Sequence, residues 1–198
     1  GVQTCALPIY NKPMSTRTAS HVIADTVRWL ERAVIGLNLC PFAKAPHVKG
    51  RIHYAVSAAT DEDGLSADLE RELMALHAAD PLQRETSLLI VPEALSDFLD
   101  FNDYLEAAQR LLVRLGLEGE LQIASFHPMY QFAGTQVDDI TNFTNRSPYP
   151  TLHLIREASM DQAVAAFPEA SAIFETNMRT LTTLGLQGWT QLDVKAHP

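Results

Sequence analysis

Residues 87–126 read SLLIVPEALSDFLDFNDYLEAAQRLLVRLGLEGELQIASF, and the period of their apolar residues changes twice. Ser87 to Val91 is a short apolar run closed by Pro92, which suits a strand buried on both faces. Ser96 is a good helix N-cap. After it, Phe98, Phe101, Leu105, Ala108, Leu112 and Leu115 recur at steps of three and four, which places them on one face of a helix. Gly116 stands where a helix C′ residue is expected. From Leu121 to Phe126 the pattern returns to that of a strand. A strand, a helix and a strand in this order are the unit of an α/β sheet.

The same alternation extends in both directions. Ile23, Val27, Leu30, Val34 and Leu37 form an apolar stripe that predicts a first helix capped at Ser20 and ending near Asn38–Pro41. Residues 41–50, PFAKAPHVKG, read as a loop, and 51–58 read as a strand on the alternation of Ile52, Tyr54 and Val56. Leu65, Leu69, Leu73 and Leu76 mark a second helix, stopped by Asp80-Pro81. On the other side, Thr151 to Arg156 reads as a fourth strand and 160–166 as a short helix. Pro168 then suits the first position of a last helix, which places Ile173, Phe174, Leu181 and Leu184 inside and ends at Gly185. The expected fold is α/β: a single mixed, largely parallel sheet of about four strands with helices packed on it, its fourth strand open to an antiparallel placement.

Composition bounds the function. The chain of 198 residues is 46% hydrophobic and 20% charged, which is ordinary for one globular domain. With 15 Lys and Arg against 24 Asp and Glu, the net charge of −9 argues against a broad nucleic-acid surface, though not against a small anion held by local arginines. No stretch has the length of a membrane span. Residues 1–13, opening GVQTCALPI, resemble translated sequencing adapter rather than native chain, so the natural start is expected at Met14, with a single domain over 14–186 and a loosely ordered tail over 187–198. That leaves Cys40 as the only native cysteine, which fits a reducing cytoplasm. Nothing in the sequence sets the oligomeric state.

The stretch 127–150, HPMYQFAGTQVDDITNFTNRSPYP, has no clear period and exceeds the ~12–15 residues beyond which a structureless loop is unusual and commonly functional. His127 sits at the end of one strand and His153 early in the next. If these strands are neighbours, the two imidazoles are expected to meet at the mouth of the loop, at the strand edge where α/β sheets bind ligands.

Three stretches carry a family likeness: LNLCPFAK (37–44), SFHPMYQFAG (125–134) and DITNFTNRSPYPTLHLIRE (139–157). Together they resemble the domain-of-unknown-function 1415 family of small bacterial proteins. The likeness covers about residues 20 to 185 and implies a single-domain bacterial protein of the cytoplasm. It implies no reaction.

The residues themselves suggest candidates, each with a plainer alternative. Arg146, helped by Asn142, Asn145 and Ser147, suits an anion held by paired hydrogen bonds, or else pins the loop to a neighbour such as Asp138. His127 suits general acid–base work near neutral pH, or else is a buried, hydrogen-bonded histidine. His153 has the same two readings. Asp139, with Asp138, suits orienting a histidine or sharing a divalent metal with His127 and His153, although no metal-ligand spacing is present. Tyr130 and Tyr149 suit the walls of a pocket. Cys40 suits a nucleophile, or else a buried thiol. No nucleotide-cofactor motif is present. The leading expectation is an enzyme acting on a small anionic metabolite in a pocket formed by the 127–150 loop. The alternatives are a non-catalytic module that binds a ligand or a protein through the same loop, and a loop that only caps the sheet.

Overall fold

The computed structural model describes residues 18–166 and 172–197. Residues 1–13, expected to be foreign to the native chain, together with Met14 and Pro168, lie outside these residues. The elements run α1 (Ala19–Trp29), a π-helical continuation (Leu30–Ile35), α2 (Lys44–Val48), β1 (Ile52–Val56), α3 (Glu62–Ala78), β2 (Thr86–Ile90) and α4 (Phe98–Arg114). They continue through β3 (Leu121–Phe126), a 3-10 helix (Ile140–Asn145), β4 (Thr151–Arg156), α5 (Glu157–Ala166) and α6 (Ile173–Gln191).

Local chemistry fixes the boundaries. Asp61 caps α3 by accepting from Gly64 N at 2.8 Å, and the helix stops at Ala79, whose extended backbone leads into Asp80-Pro81. Asp97, one residue beyond the expected Ser96, caps α4 by accepting from the N–H groups of Leu99 and Asp100. At its other end Gly116 takes φ +72°, the left-handed turn expected there.

The protein is α/β with one four-stranded mixed sheet in the order β1-β2-β4-β3. The expected "largely parallel" sheet needs correcting at the level of pairing. β1, β2 and β3 all run the same way, and β4 runs against them. But β4 is inserted between β2 and β3, so only β1·β2 is a parallel pair and both contacts of β4 are antiparallel. The long 127–150 segment turns the chain around and feeds it back into the gap between β2 and β3. Val91 N bonds Pro150 O at 2.8 Å at the point of entry. β2, an internal strand, is buried at every position, as its continuous apolar run requires.

Helices cover both faces. On one, Leu65, Leu69, Leu73 and Leu76 of α3 and Phe101, Ala108 and Leu112 of α4 pack on Leu89, Leu121, Leu152 and Leu154. Burying each such leucine contributes about 1.5–3 kcal/mol by removing its apolar surface from water. The other face carries α1, its π-helical continuation and α6, with Trp29, Leu30, Val34, Leu181 and Trp189 in the interior. The buried stripe of the first helix is rotated from the expected one. It runs through Val22, Asp25, Thr26 and Trp29, and then Leu30, Ala33 and Val34.

α6 contains a break at Gly185, where φ 64° and ψ 174° replace helical values, so the expected helix end is real but the chain resumes as helix beyond it. Within 187–197, part of the segment expected to be loosely held, two apolar side chains and several backbone carbonyls are fixed to the domain. Trp189 and Val194 are buried. Arg28 donates from Nε to Asp193 O and from Nη2 to Lys195 O, and Arg32 donates to Leu192 O. Apolar anchors and capped carbonyls together hold this segment on α1.

Candidate functional site

The 127–150 segment is built around its own hydrogen bonds. Asp139 caps the 3-10 helix, its Oδ1 accepting from Thr141 N at 2.9 Å and Thr141 Oγ1 at 2.7 Å, and these bonds hold its carboxyl below the usual carboxylate range. Asp138 is exposed beside it. Asn142, fully buried, accepts at Oδ1 from Phe132 N and Thr135 Oγ1 and donates from Nδ2 to Gln136 O. Asn145 donates from Nδ2 to Ser125 O, and its own carbonyl receives His127 N. Arg146 donates from Nε to Tyr130 O at 3.2 Å and from Nη2 to Val137 O at 2.6 Å, with its guanidinium 4.2 Å from the centre of the Phe143 ring. Ser147 Oγ donates to Tyr149 O, and Tyr149 donates its hydroxyl to Asp25 Oδ2 at 2.7 Å. Tyr130 stands in an aromatic row between Phe98 and Phe132. The polar groups expected to meet a ligand therefore meet the loop's own backbone and its neighbours.

The two histidines do not come together. β3 and β4 are neighbours as expected, but Ala124 is the cross-strand partner of His153, and Phe126 is the partner of Thr151. Side chains alternate between faces along a strand, so Ala124, Phe126 and His153 share one face and His127 points to the other. There His127 is fully buried, its ring 5.4 Å from that of Phe98 and 5.1 Å from that of Phe101. Nε2 donates to Leu95 O at 3.1 Å and Nδ1 accepts from Met129 N at 3.0 Å, so both ring nitrogens are committed to backbone. Burial holds its pKa below the usual value. Leu95 itself has φ +53°, and the His127 bond fastens that left-handed turn just ahead of α4. Among the described residues, no three or more His, Cys, Asp or Glu side chains form a group able to hold a metal ion.

A concave feature lies instead on the His153 face. A cavity of about 710 Å³ opens between the sheet, the π-helical turn, the 40–49 segment and the start of α5. Leu88, Ala124, Phe126 and Ile155 floor it, Trp29, Leu30 and Val34 wall it, and Cys40 to Ala43 close one side. None of its lining residues belongs to 127–150. The π-turn shapes this wall. Gly36 N bonds Glu31 O and Leu39 N bonds Val34 O, each reaching five residues back, and Asn38 ends the helix at φ +55°. The chain then drops into Cys40-Pro41 over the sheet.

Few polar groups enter this space. Thr86, His153 and Cys40 lie within it, and Lys49, Glu85, Ser159 and Gln162 also contribute to its lining. Thr86 Oγ1 donates to Leu154 O at 2.6 Å and receives His153 Nε2–H at 2.8 Å. Burial without a charged partner lowers the His153 pKa to about 4, so the ring is neutral at physiological pH. Burial likewise pushes the Cys40 thiol up, against the opposing effect of the Phe42 and Ala43 N–H groups that bond toward its sulfur. Trp29, Phe42, Thr86 and Phe126 were not singled out from the sequence. Yet the three stretches that carry the family likeness all reach the cavity: the first through Cys40 to Ala43, the second through Phe126, the third through His153 and Ile155.

No helix among the described residues is long and apolar enough to cross a membrane. A family model described as "Protein of unknown function (DUF1415)" matches residues 21–191, and the chain belongs to that family. No curated protein and no solved structure matches the chain significantly.

Proposed function

We propose that this member of the DUF1415 family binds a small, predominantly apolar molecule in the cavity between the sheet and the Cys40–Lys49 segment. The observation that carries the reading is the cavity itself, about 710 Å³ in volume, floored by apolar side chains with one imidazole among them. Ligand sites commonly measure about 300–1,000 Å³ and combine apolar walls with a few placed polar groups.

The proposed site lies away from the 127–150 loop. Arg146 supports this by contrast, because its Nε and Nη2 hold loop carbonyls. The side chains of the cavity also favour binding over acid–base turnover. A histidine whose pKa is about 4 is a weak base at neutral pH, and a thiol raised by burial stays protonated.

The test is equilibrium binding of a neutral, solvatochromic naphthalene dye. Ala45 is an exposed residue of α2 on the cavity lining, so Ala45→Trp narrows the entrance without touching the interior. Saturable, blue-shifted binding is expected for the parent and for Arg146→Met, with Ala45→Trp weaker by roughly tenfold or more. Unchanged binding in Ala45→Trp, or loss confined to Arg146→Met, would overturn the reading.

A further inference from the structure

We infer that the cavity selects an uncharged ligand bearing a hydrogen-bond donor, a hydroxyl or N–H group on an apolar body, and that the Nδ1 lone pair of His153 receives it. This rests on the proposed binding site and specifies its ligand.

One chain of hydrogen bonds decides which nitrogen is free to accept. A carbonyl oxygen only accepts, so at 2.6 Å from Leu154 O the Thr86 hydroxyl must be the donor. Its single hydrogen is then committed. Toward His153 Nε2, 2.8 Å away, Thr86 Oγ1 has only lone pairs to offer, so Nε2 carries the hydrogen. In a neutral imidazole the other nitrogen is then an acceptor. His153 lines the cavity, and Nδ1 makes no hydrogen bond to any described residue. It is also not among the buried side-chain nitrogens and oxygens that are sealed from contact without a partner. The backbone of β4 thus sets, through Thr86, the sign of the polar group presented to a ligand. A carboxylate or phosphate would face this lone pair with its own. The cationic group on the lining, Lys49, lies on the exposed segment after α2, and the carboxylate on the same lining, Glu85, pairs with Arg51 at 3.7 Å.

Four probes of similar shape separate the cases: naphthalene, 1-naphthol, 1-methoxynaphthalene and 1-naphthoate, each titrated at pH 7 by displacement of the neutral dye. One buried hydrogen bond predicts 1-naphthol tighter than naphthalene by roughly tenfold, with 1-methoxynaphthalene no better than naphthalene and 1-naphthoate weakest. His153→Phe should bring 1-naphthol and naphthalene to the same affinity. Thr86 is a positioning residue, so Thr86→Ser should keep the preference. Thr86→Val frees the imidazole to carry its hydrogen on Nδ1 and should narrow the preference while 1-methoxynaphthalene gains. This pair keeps the test open if His153→Phe does not fold. Equal binding of naphthalene and 1-naphthol, or 1-naphthoate binding tightest, overturns the inference and leaves the binding site standing. If no probe displaces the dye and none binds directly, both fall.

Discussion

Acid should destabilise this protein through His153, by an amount that follows from its surroundings. The imidazole titrates at about 4 in the folded protein against an ordinary value of 6.5. Between those values the unfolded chain binds the proton and the folded one does not, so stability falls as pH falls below 6.5. The loss grows until about pH 4, where the folded state takes the proton too. Every tenfold difference in proton affinity between the two states corresponds to about 1.4 kcal/mol, which gives about 2 kcal/mol lost between pH 7.5 and pH 5, and about 3 kcal/mol at the limit. Carboxylates and the buried His127 add their own pH dependence, so the useful quantity is a difference. Urea unfolding of the parent and of His153→Gln, followed by tryptophan fluorescence from pH 7.5 to pH 5, isolates it. The variant should be less stable than the parent at pH 7.5 or equal to it, and should gain on it by about 2 kcal/mol by pH 5. Two stability profiles that stay parallel across this range would refute the reasoning, because they would mean that His153 is solvated enough to take a proton in the native state.

Other expectations are simpler. Arg146→Met removes two bonds to loop carbonyls and its contact with Phe143, and should cost about 1–3 kcal/mol in denaturant without changing dye affinity. Gly185→Ala forces a side chain into φ 64°, ψ 174°, a region reserved for glycine, and should lower the thermal midpoint by an amount equivalent to about 1–3 kcal/mol. Alkylation of Cys40 by iodoacetamide should keep accelerating beyond the ordinary thiol range, because burial raises its pKa; a rate that levels off below pH 8 would instead identify an activated nucleophile.

The sequence was most informative where one period governs a whole element. Leu65, Leu69, Leu73 and Leu76 lie on the buried face of α3, as their spacing implies, and the apolar run at 87–91 falls on the internal strand Thr86–Ile90, one residue earlier. Strand order was less legible. The insertion of β4 between β2 and β3 depends on how 127–150 folds, and that segment follows no period. The first helix misled because Ile23 and Val27 are apolar but only half-buried, whereas Asp25 and Thr26 are inside. Asp25 is buried because Tyr149 and Arg28, distant from one another in sequence, both bond its carboxylate. The 127–150 loop stands out in the sequence by its length and lack of period, but its polar residues complete one another, which composition does not reveal. The cavity was invisible for a different reason. Trp29, Cys40, Thr86, Phe126 and His153 come from five separate segments and meet only after the sheet has formed. Separating His127 from His153 by strand parity needs only the β3·β4 register, and that is a tertiary fact.

The proposed ligand site is the space under the Cys40–Lys49 segment, away from the 127–150 loop. A titration of ¹⁵N-labelled protein with 1-naphthol, read residue by residue in ¹H–¹⁵N correlation spectra, tests it most directly. Saturable shifts are expected at Phe42, Ala43, Ala124, Phe126 and His153, with the amides of Asn142 and Arg146 unmoved. Shifts concentrated in 130–147, with the cavity residues unmoved, would contradict the claim.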